Sequence, residues 1–307
     1  MSARQCPQCG STVEADPTLL STACAFCETP LVATDASAET VDRVVAFQIP
    51  RKRASRLLRQ HIEGHWFVHS TLKRAAAPEM LRSVLVPFYV YDAVARSTFS
   101  CDVGIYWYRT ETYTTYENGK LVTKTRQVRE TEWFDFDGSH LHSWDDHLVS
   151  ASKGLEEAES NALEPFDLGQ SAKYEPELVA GWMAEHPTID HDQARQTAAD
   201  ELAQLEARLI AKRHLPGDTH RSLSSQSTFD IQAVRLYLLP VWVASFRGPK
   251  GPVRLLVNGQ TGETIGAVPT YWRTIQWVIL CVFLVLLVLG GAFFVMVMGA
   301  SAILGGM

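Results

Sequence analysis

Four cysteines near the N-terminus carry the clearest chemistry in this chain. Cys6 and Cys9 form one C-x-x-C pair, and Cys24 and Cys27 form another. Each pair presents two thiolates from one tight knuckle, and two knuckles complete the four ligands that a tetrahedral metal ion takes. Gly10 follows Cys9 directly and suits the close turn of such a knuckle. The residues between the pairs are enough for a short hairpin that brings the knuckles together. With cysteine at all four positions the site is closed, so one structural Zn2+ is expected, held by Cys6, Cys9, Cys24 and Cys27. A segment of this size cannot build a core without a metal. Such thiolates persist best in a reducing compartment, which places the N-terminal part in the cytoplasm. The first 20 residues hold no apolar stretch of the kind a secretory leader has.

A second strong pattern lies at the other end. Val278 to Met298 is an apolar run without a charged side chain, and the hydrocarbon core of a bilayer needs about 20 helical residues. Tyr271, Trp272 and Trp277 stand at its start, as an aromatic belt would, and Arg273 beside them puts the N-terminal side in the cytoplasm. The expectation is a single-pass membrane protein with its N-terminal domain cytoplasmic.

Weaker constellations follow. Arg51, Lys52, Arg53, Arg56 and Arg59, with Lys73 and Arg74 beyond, form a basic cluster on or near a helix. It could contact phosphates of nucleic acid, anionic lipid headgroups, or only the acidic middle of the chain. His140-Leu141-His142-Ser143-Trp144-Asp145-Asp146-His147 resembles the H-x-H-x-D-H metal motif of metallo-β-lactamase-like hydrolases. Its spacing is off by one residue and the glycine-bearing α/β context is absent, so a solvated acidic loop is expected instead. No phosphate-binding glycine loop, dinucleotide fingerprint or nucleophile elbow occurs. Cys101 reads as a strand residue and Cys281 as part of the apolar run. The chain is therefore read as a non-enzyme.

The elements that position these residues are legible in outline. The chain has 307 residues and a formal charge of -6, a length that suits about two domains. The expected fold class is α+β: a small zinc ribbon at 1–33, a polar linker at 34–43, a central domain with antiparallel hairpins at 44–270, a transmembrane helix at 271–300 and a short tail at 301–307. The central domain opens with a helix from Arg51 to about Ile62, led by Pro50. Residues 84–91 form a buried strand. Two Tyr- and Thr-rich strands flank Asn118-Gly119, the strongest short hairpin signal. A helix starts at Asp190 as N-cap, with Ala194, Ala198, Leu202, Leu205 and Leu209 on one stripe, and Pro216-Gly217 stops it. Pro87-Phe88-Tyr89-Val90 and Pro240-Val241-Trp242-Val243 echo each other as a degenerate internal repeat would, and their prolines imply an edge or a bulge. A last hairpin turns through 258–262.

The ordered set CPQCG at 6–10, CAFC at 24–27, LVPFYVYDA at 85–93, LEPFDLGQSAKYEPELVAGWMAEHPTID at 163–190, LLPVWVASF at 238–246 and VNGQTGETIGAVP at 257–269 resembles a bacterial family of membrane-anchored proteins with a TFIIB-type zinc ribbon. Members are labelled in places primosomal or helicase-like, yet nothing in this chain resembles a helicase motor. The resemblance implies protein partners of the phage-shock-protein-A type or with SPFH domains, and work in envelope stress or membrane organisation. The function expected is a membrane-tethered adaptor that displays the ribbon and the α+β domain to such partners. The alternative is a membrane-tethered nucleic-acid binder using the ribbon and the basic helix 51–62.

Overall fold

A run of residues that alternates in exposure over many positions suits a long strand, and the described residues hold three. The computed structural model describes residues 2–16, 18–32, 40–65, 68, 77–248, 251–269 and 275–286. About half of the structure is strand. The ribbon region holds β1 (Ser2–Gln5), β2 (Thr12–Ala15), β3 (Leu19–Ala23) and β4 (Pro30–Val32). There follow β5 (Arg43–Val44), α1 (Arg51–Glu63), β6 (Leu81–Glu117), β7 (Lys120–Ser150), α2 (Glu157–Leu163), β8 (Ala172–Lys173) and α3 (Pro176–Val179). Then come β9 (Met183–Glu185), α4 (His191–Arg213), β10 (Thr219–Gly248), β11 (Gly251–Asn258) and β12 (Thr264–Ile265). Residues 275–286 are helical and are called α5.

The chain divides into two compact units. Unit 1 holds Met1–Val45, Leu85–Asn161 and Asp167–Leu239. Its strands run β10-β6-β9-β3-β4, with β7 on β6, β5 on β10 and β8 on β5. Strand β6 is buried on both faces from Val84 to Tyr91 and alternates from there outward, the change expected where a strand leaves the core. Its turn to β7 is the predicted one: Asn118 and Gly119 both have positive φ, 50° and 76°, and Glu117 pairs with Lys120. Helix α4 packs on β7. It is capped by Asp190, whose Oδ1 accepts the Gln193 N–H at 2.9 Å. Its inner row runs Ala194, Ala198, Leu202, Glu206, Ile210, each four residues on, while Leu205 and Leu209 are only half-buried.

Unit 2 holds Ala46–Val84, Ala162–Phe166 and Pro240–Met307. Here the end of β10 pairs with β11, and β11 with β12. Helix α1 packs on β11 and β12 through buried Ala54, Ser55, Leu58 and Ile62. The proline echo has a structural counterpart in each unit. The Pro87 carbonyl accepts the Ala151 N–H at 2.9 Å, next to the Phe88–Ser150 pair. The Pro240 carbonyl accepts the Gly259 N–H at 2.7 Å, next to the Val241–Asn258 pair. Both prolines thus sit one residue before an antiparallel pair of their strand, and their carbonyls still accept a hydrogen bond.

Three expectations are corrected. The α+β class with antiparallel hairpins and a terminal span gives way to a mixed sheet with five helices among the described residues. The sheet is mixed because β5 runs parallel to β10, pairing Arg43 with Tyr237 and Val44 with Leu238; two residues are too few to show a period. The acidic loop expected at 140–147 is part of strand β7. The membrane span over Val278–Met298 is not supported: among the described residues no helix is long and apolar enough to cross a membrane. Helix α5 is described over 275–286. The single-pass localisation drawn from that span falls with it. Residues 287–307 lie outside the described residues, as do Tyr271, Trp272 and Arg273.

Asn258 ties unit 2 together. It is fully buried, donates to the carbonyls of Leu163 and Pro165 at 2.9 and 3.0 Å, and accepts the N–H groups of Gln260 and Thr261 at 2.8 and 3.0 Å. Asn258→Ala leaves those four backbone groups without this partner and is expected to cost about 3 kcal/mol, read as a lower midpoint in urea denaturation of the full chain.

Candidate metal centre

The two knuckles are built alike. Each begins with a buried cysteine, Cys6 or Cys24. Its carbonyl accepts the N–H four residues on, Gly10 or Glu28, at 2.9 Å in both. Its own N–H donates to the carbonyl five residues on, Ser11 at 2.8 Å or Thr29 at 2.9 Å. A hydroxyl then closes each knuckle: Ser11 Oγ lies 2.9 Å from Cys9 Sγ, and Thr29 Oγ1 lies 3.1 Å from Cys27 Sγ. The residue after the second cysteine must take a left-handed backbone, φ 73° at Gly10 and 60° at Glu28.

This geometry brings the four sulfurs together. All four Sγ atoms lie within 4.8 Å of one another, with Cys6 to Cys27 at 3.5 Å and Cys9 to Cys24 at 3.8 Å. Sulfurs at the corners of a tetrahedron with metal–sulfur bonds of about 2.3 Å stand about 3.8 Å apart, so the set fits one metal ion. The sulfurs are too far apart for a disulfide, whose bond is about 2.05 Å. The predicted ligands Cys6, Cys9, Cys24 and Cys27 are therefore all assembled, and the group can hold one metal ion.

The thiols are unequal. The backbone N–H groups of Phe26 and Cys27, with the Ser11 hydroxyl, lower Cys24 to about 6. Hydrogen bonds from Ser11 lower Cys9. At Cys27 the Thr29 side chain and backbone pull down, but burial and the neighbouring thiols of Cys9 and Cys6 outweigh them and push it up to about 11. A first thiolate is favoured and the last resisted, so binding a cation to all four sulfurs would release the remaining protons to water.

The cage is anchored to unit 1. Strand β3 leads into the second knuckle and pairs antiparallel with β9, Leu19 with Glu185 and Ser21 with Ala184. The buried Ser21 hydroxyl donates to the Val179 carbonyl at 3.0 Å, and the His186 N–H to the Thr18 carbonyl at 2.8 Å.

The other candidates fare differently. Arg51, Lys52, Arg53, Arg56 and Arg59 all lie exposed on α1. Lys52, Arg56 and Arg59 share one face by their spacing, while the Arg51 guanidinium lies 5.6 Å from the centroid of the Trp242 ring. Lys73 and Arg74 lie outside the described residues. The histidine run is not brought together as an ion-holding group: among the described residues the four cysteines are the one set of three or more residues arranged to hold an ion. Instead it is a polar seam under α4. Glu206, fully buried, lies 2.6 Å from His140 Nδ1. It accepts from Trp144 Nε1 at 3.1 Å and Ser97 Oγ at 3.0 Å. Glu201 meets His147 Nε2 at 3.0 Å and Asn161 Nδ2 at 2.8 Å. Burial raises Glu201, but those hydrogen bonds outweigh it and hold the carboxyl below its ordinary range. Glu206 escapes a search for apolar stripes because it is charged. The step of four from Ala194 through Ala198 and Leu202 is the signal that points it inward. Cys101 is a buried β6 residue whose thiol burial pushes up.

No family model matches the chain, and no solved structure matches it. The chain is 21% identical over 240 residues to the uncharacterized protein YdjG of Bacillus subtilis (strain 168), a match covering 74% of this chain and 63% of that protein. The chain thus spans less than two thirds of that relative's length.

The unequal filling of the two equivalent left-handed positions gives a direct test. A Cβ on Gly10 would meet nothing within 4 Å, so only backbone strain separates glycine from other residues there. Glu28→Gly is expected to relieve about 1 kcal/mol, a roughly fivefold gain in metal affinity by chelator competition. Gly10→Ala should lose a similar factor.

Proposed function

We propose that this protein is a non-enzymatic adaptor whose zinc ribbon presents a metal-fixed surface to protein partners. The observation that carries the reading is the closed four-cysteine cage. Tetrahedral sets of four thiolates select zinc or iron; zinc is the assignment made here, because knuckles of this C-x-x-C form are zinc-ribbon knuckles. Four protein ligands leave no open position for substrate, so the ion is structural. What it holds in place is the knuckle surface. Phe26, at the tip of the second knuckle, is 73% exposed, an aromatic anchor of the kind that protein interfaces favour. Phage-shock-protein-A-type and SPFH-domain proteins, the partners that the family resemblance implies, are the partners proposed.

A second reading rests on α1. Arg51, Lys52 and Arg53 occupy its first turn, which holds no acidic residue. Cations at a helix N-terminus oppose the macrodipole, so this placement weakens the helix and suits a surface kept for anions. On this reading α1 meets nucleic-acid phosphates.

Metal analysis of the full chain purified without chelator is expected to give one zinc per chain, lost in Cys24→Ser/Cys27→Ser. Phe26→Ala should keep the zinc and weaken capture of a purified phage-shock-protein-A-type or SPFH-domain protein by about tenfold, the effect of a modest interface anchor. Absence of zinc, or unchanged capture by both variants, overturns the adaptor reading. Binding of DNA or RNA that weakens steeply with salt, and loses about one unit of log–log slope with Arg56→Ala, establishes the second.

A further inference from the structure

The β6–β7 hairpin outgrows its sheet. The Asp218 N–H donates to the Gly104 carbonyl at 2.9 Å, and the Asp218 carboxylate accepts the Tyr106 N–H at 2.7 Å. There β10 begins, and among the described residues no strand but β7 pairs with β6 beyond this point. From the Trp107–Glu130 pair to the Glu117–Lys120 pair the hairpin is a two-stranded arm. These eleven rungs extend about 36 Å. A two-stranded ribbon is marginal in water unless one face is covered.

The two faces of the arm differ sharply. One carries cross-strand ion pairs, Arg109 with Glu130 at 2.8 Å, Arg126 with Glu111 at 2.7 Å, and Lys124 with Glu117. The other shows Tyr108, Thr110, Thr112, Thr114 and Tyr116 on β6, opposite Arg129, Gln127, Thr125, Thr123 and Leu121 on β7. Its one charge is Arg129, whose guanidinium lies 4.3 Å from the centroid of the Tyr106 ring. Tyr108 is 62% exposed, Tyr116 75% and Leu121 63%.

We propose that this face, whose one charge is Arg129, is a homodimer interface, and that its occupant is the same face of a second copy of this chain. The order Tyr-Thr-Thr-Thr-Tyr reads alike in both directions about Thr112. A two-fold axis through the Thr112–Thr125 rung, running across the strands, therefore lays β6 antiparallel over the second β6. Tyr108 then meets Tyr116 of the other copy at both ends, an aromatic pair with its own geometric preference. Thr112 meets Thr112, and Arg129 meets Leu121. The two arginines stay about 27 Å apart, so no like charges oppose. A highly charged partner would find only the single Arg129 to complement on this face, whereas an identical face matches it along its length. The contact is isologous and closes at two copies. A face of these dimensions buries about 1,000 Å² in total, the low end for a specific interface, and predicts a reversible dimer with a dissociation constant of about micromolar order. The charged back of the arm stays in water and discourages further stacking.

Sedimentation of the full chain at about 50 µM should give the dimer mass. Thr112→Glu puts two carboxylates on the axis and Thr112→Lys two ammonium groups; each is expected to raise the dissociation constant at least tenfold and give the monomer mass. Mixing the two variants should restore a dimer of one Glu and one Lys copy, which a misfolded arm could not do. Thr115→Glu, on the charged face, should leave the dimer intact. A parent chain that is monomeric at this concentration overturns the proposal. So does a Thr112→Glu variant that keeps the parent's mass, or a mixture that stays monomeric.

Discussion

Every backbone N–H and C=O of a long strand needs a partner, and β6 spans 37 residues. The organisation of unit 1 follows from how that demand is met. On one edge β7 answers nearly the whole strand, from Phe88–Ser150 to Glu117–Lys120. Strands β10 and β9 also pair with β6 and stand next to it in the sheet order. Where β9 pairs, the ribbon gains its foothold, since β9 also pairs with β3. Where β10 starts, the arm is left to itself. The exposure of the arm is the outcome of that hydrogen-bonding requirement.

The polar seam beneath α4 shows a second constraint. A helix docked by apolar contacts alone could slide or turn on a flat strand surface. Glu206 and Glu201 instead bind donors from fixed places: Ser97 on β6, His140, Trp144 and His147 on β7, and Asn161 on α2. Each buried carboxylate is satisfied by several hydrogen bonds, which makes its burial tolerable and its displacement costly. The seam therefore selects one register for α4. That role accounts for histidines whose sequence pattern suggested a metal.

The metal centre depends on neither of these. Its two knuckles repeat one local arrangement, and the agreement between Cys6–Ser11 and Cys24–Thr29 extends to each backbone hydrogen bond. The cage is a local solution stitched to a non-local sheet. The sequence similarity to an uncharacterized relative supplies no activity, so the functional reading stands on the closed cage and on the exposed surfaces it and the sheet support.

The sequence alone determined whatever is decided within a few residues. The C-x-x-C knuckles, the Asn118-Gly119 turn, the Asp190 cap and the span of α1 were legible because each is set by local backbone geometry or by a short period of burial. The tertiary structure decided everything that joins distant segments. That β5 runs parallel to β10, that β3 pairs with β9, and that 140–147 is strand and not loop depend on which backbone groups lie near enough to pair. No local pattern encodes that proximity. The terminal run shows the converse: apolar composition predicted a spanning helix, whereas among the described residues no helix is long and apolar enough to cross a membrane. Glu206 is the sharpest case. Its charge argues for the surface, and only the donors brought from β6 and β7 make the interior its lower-energy place.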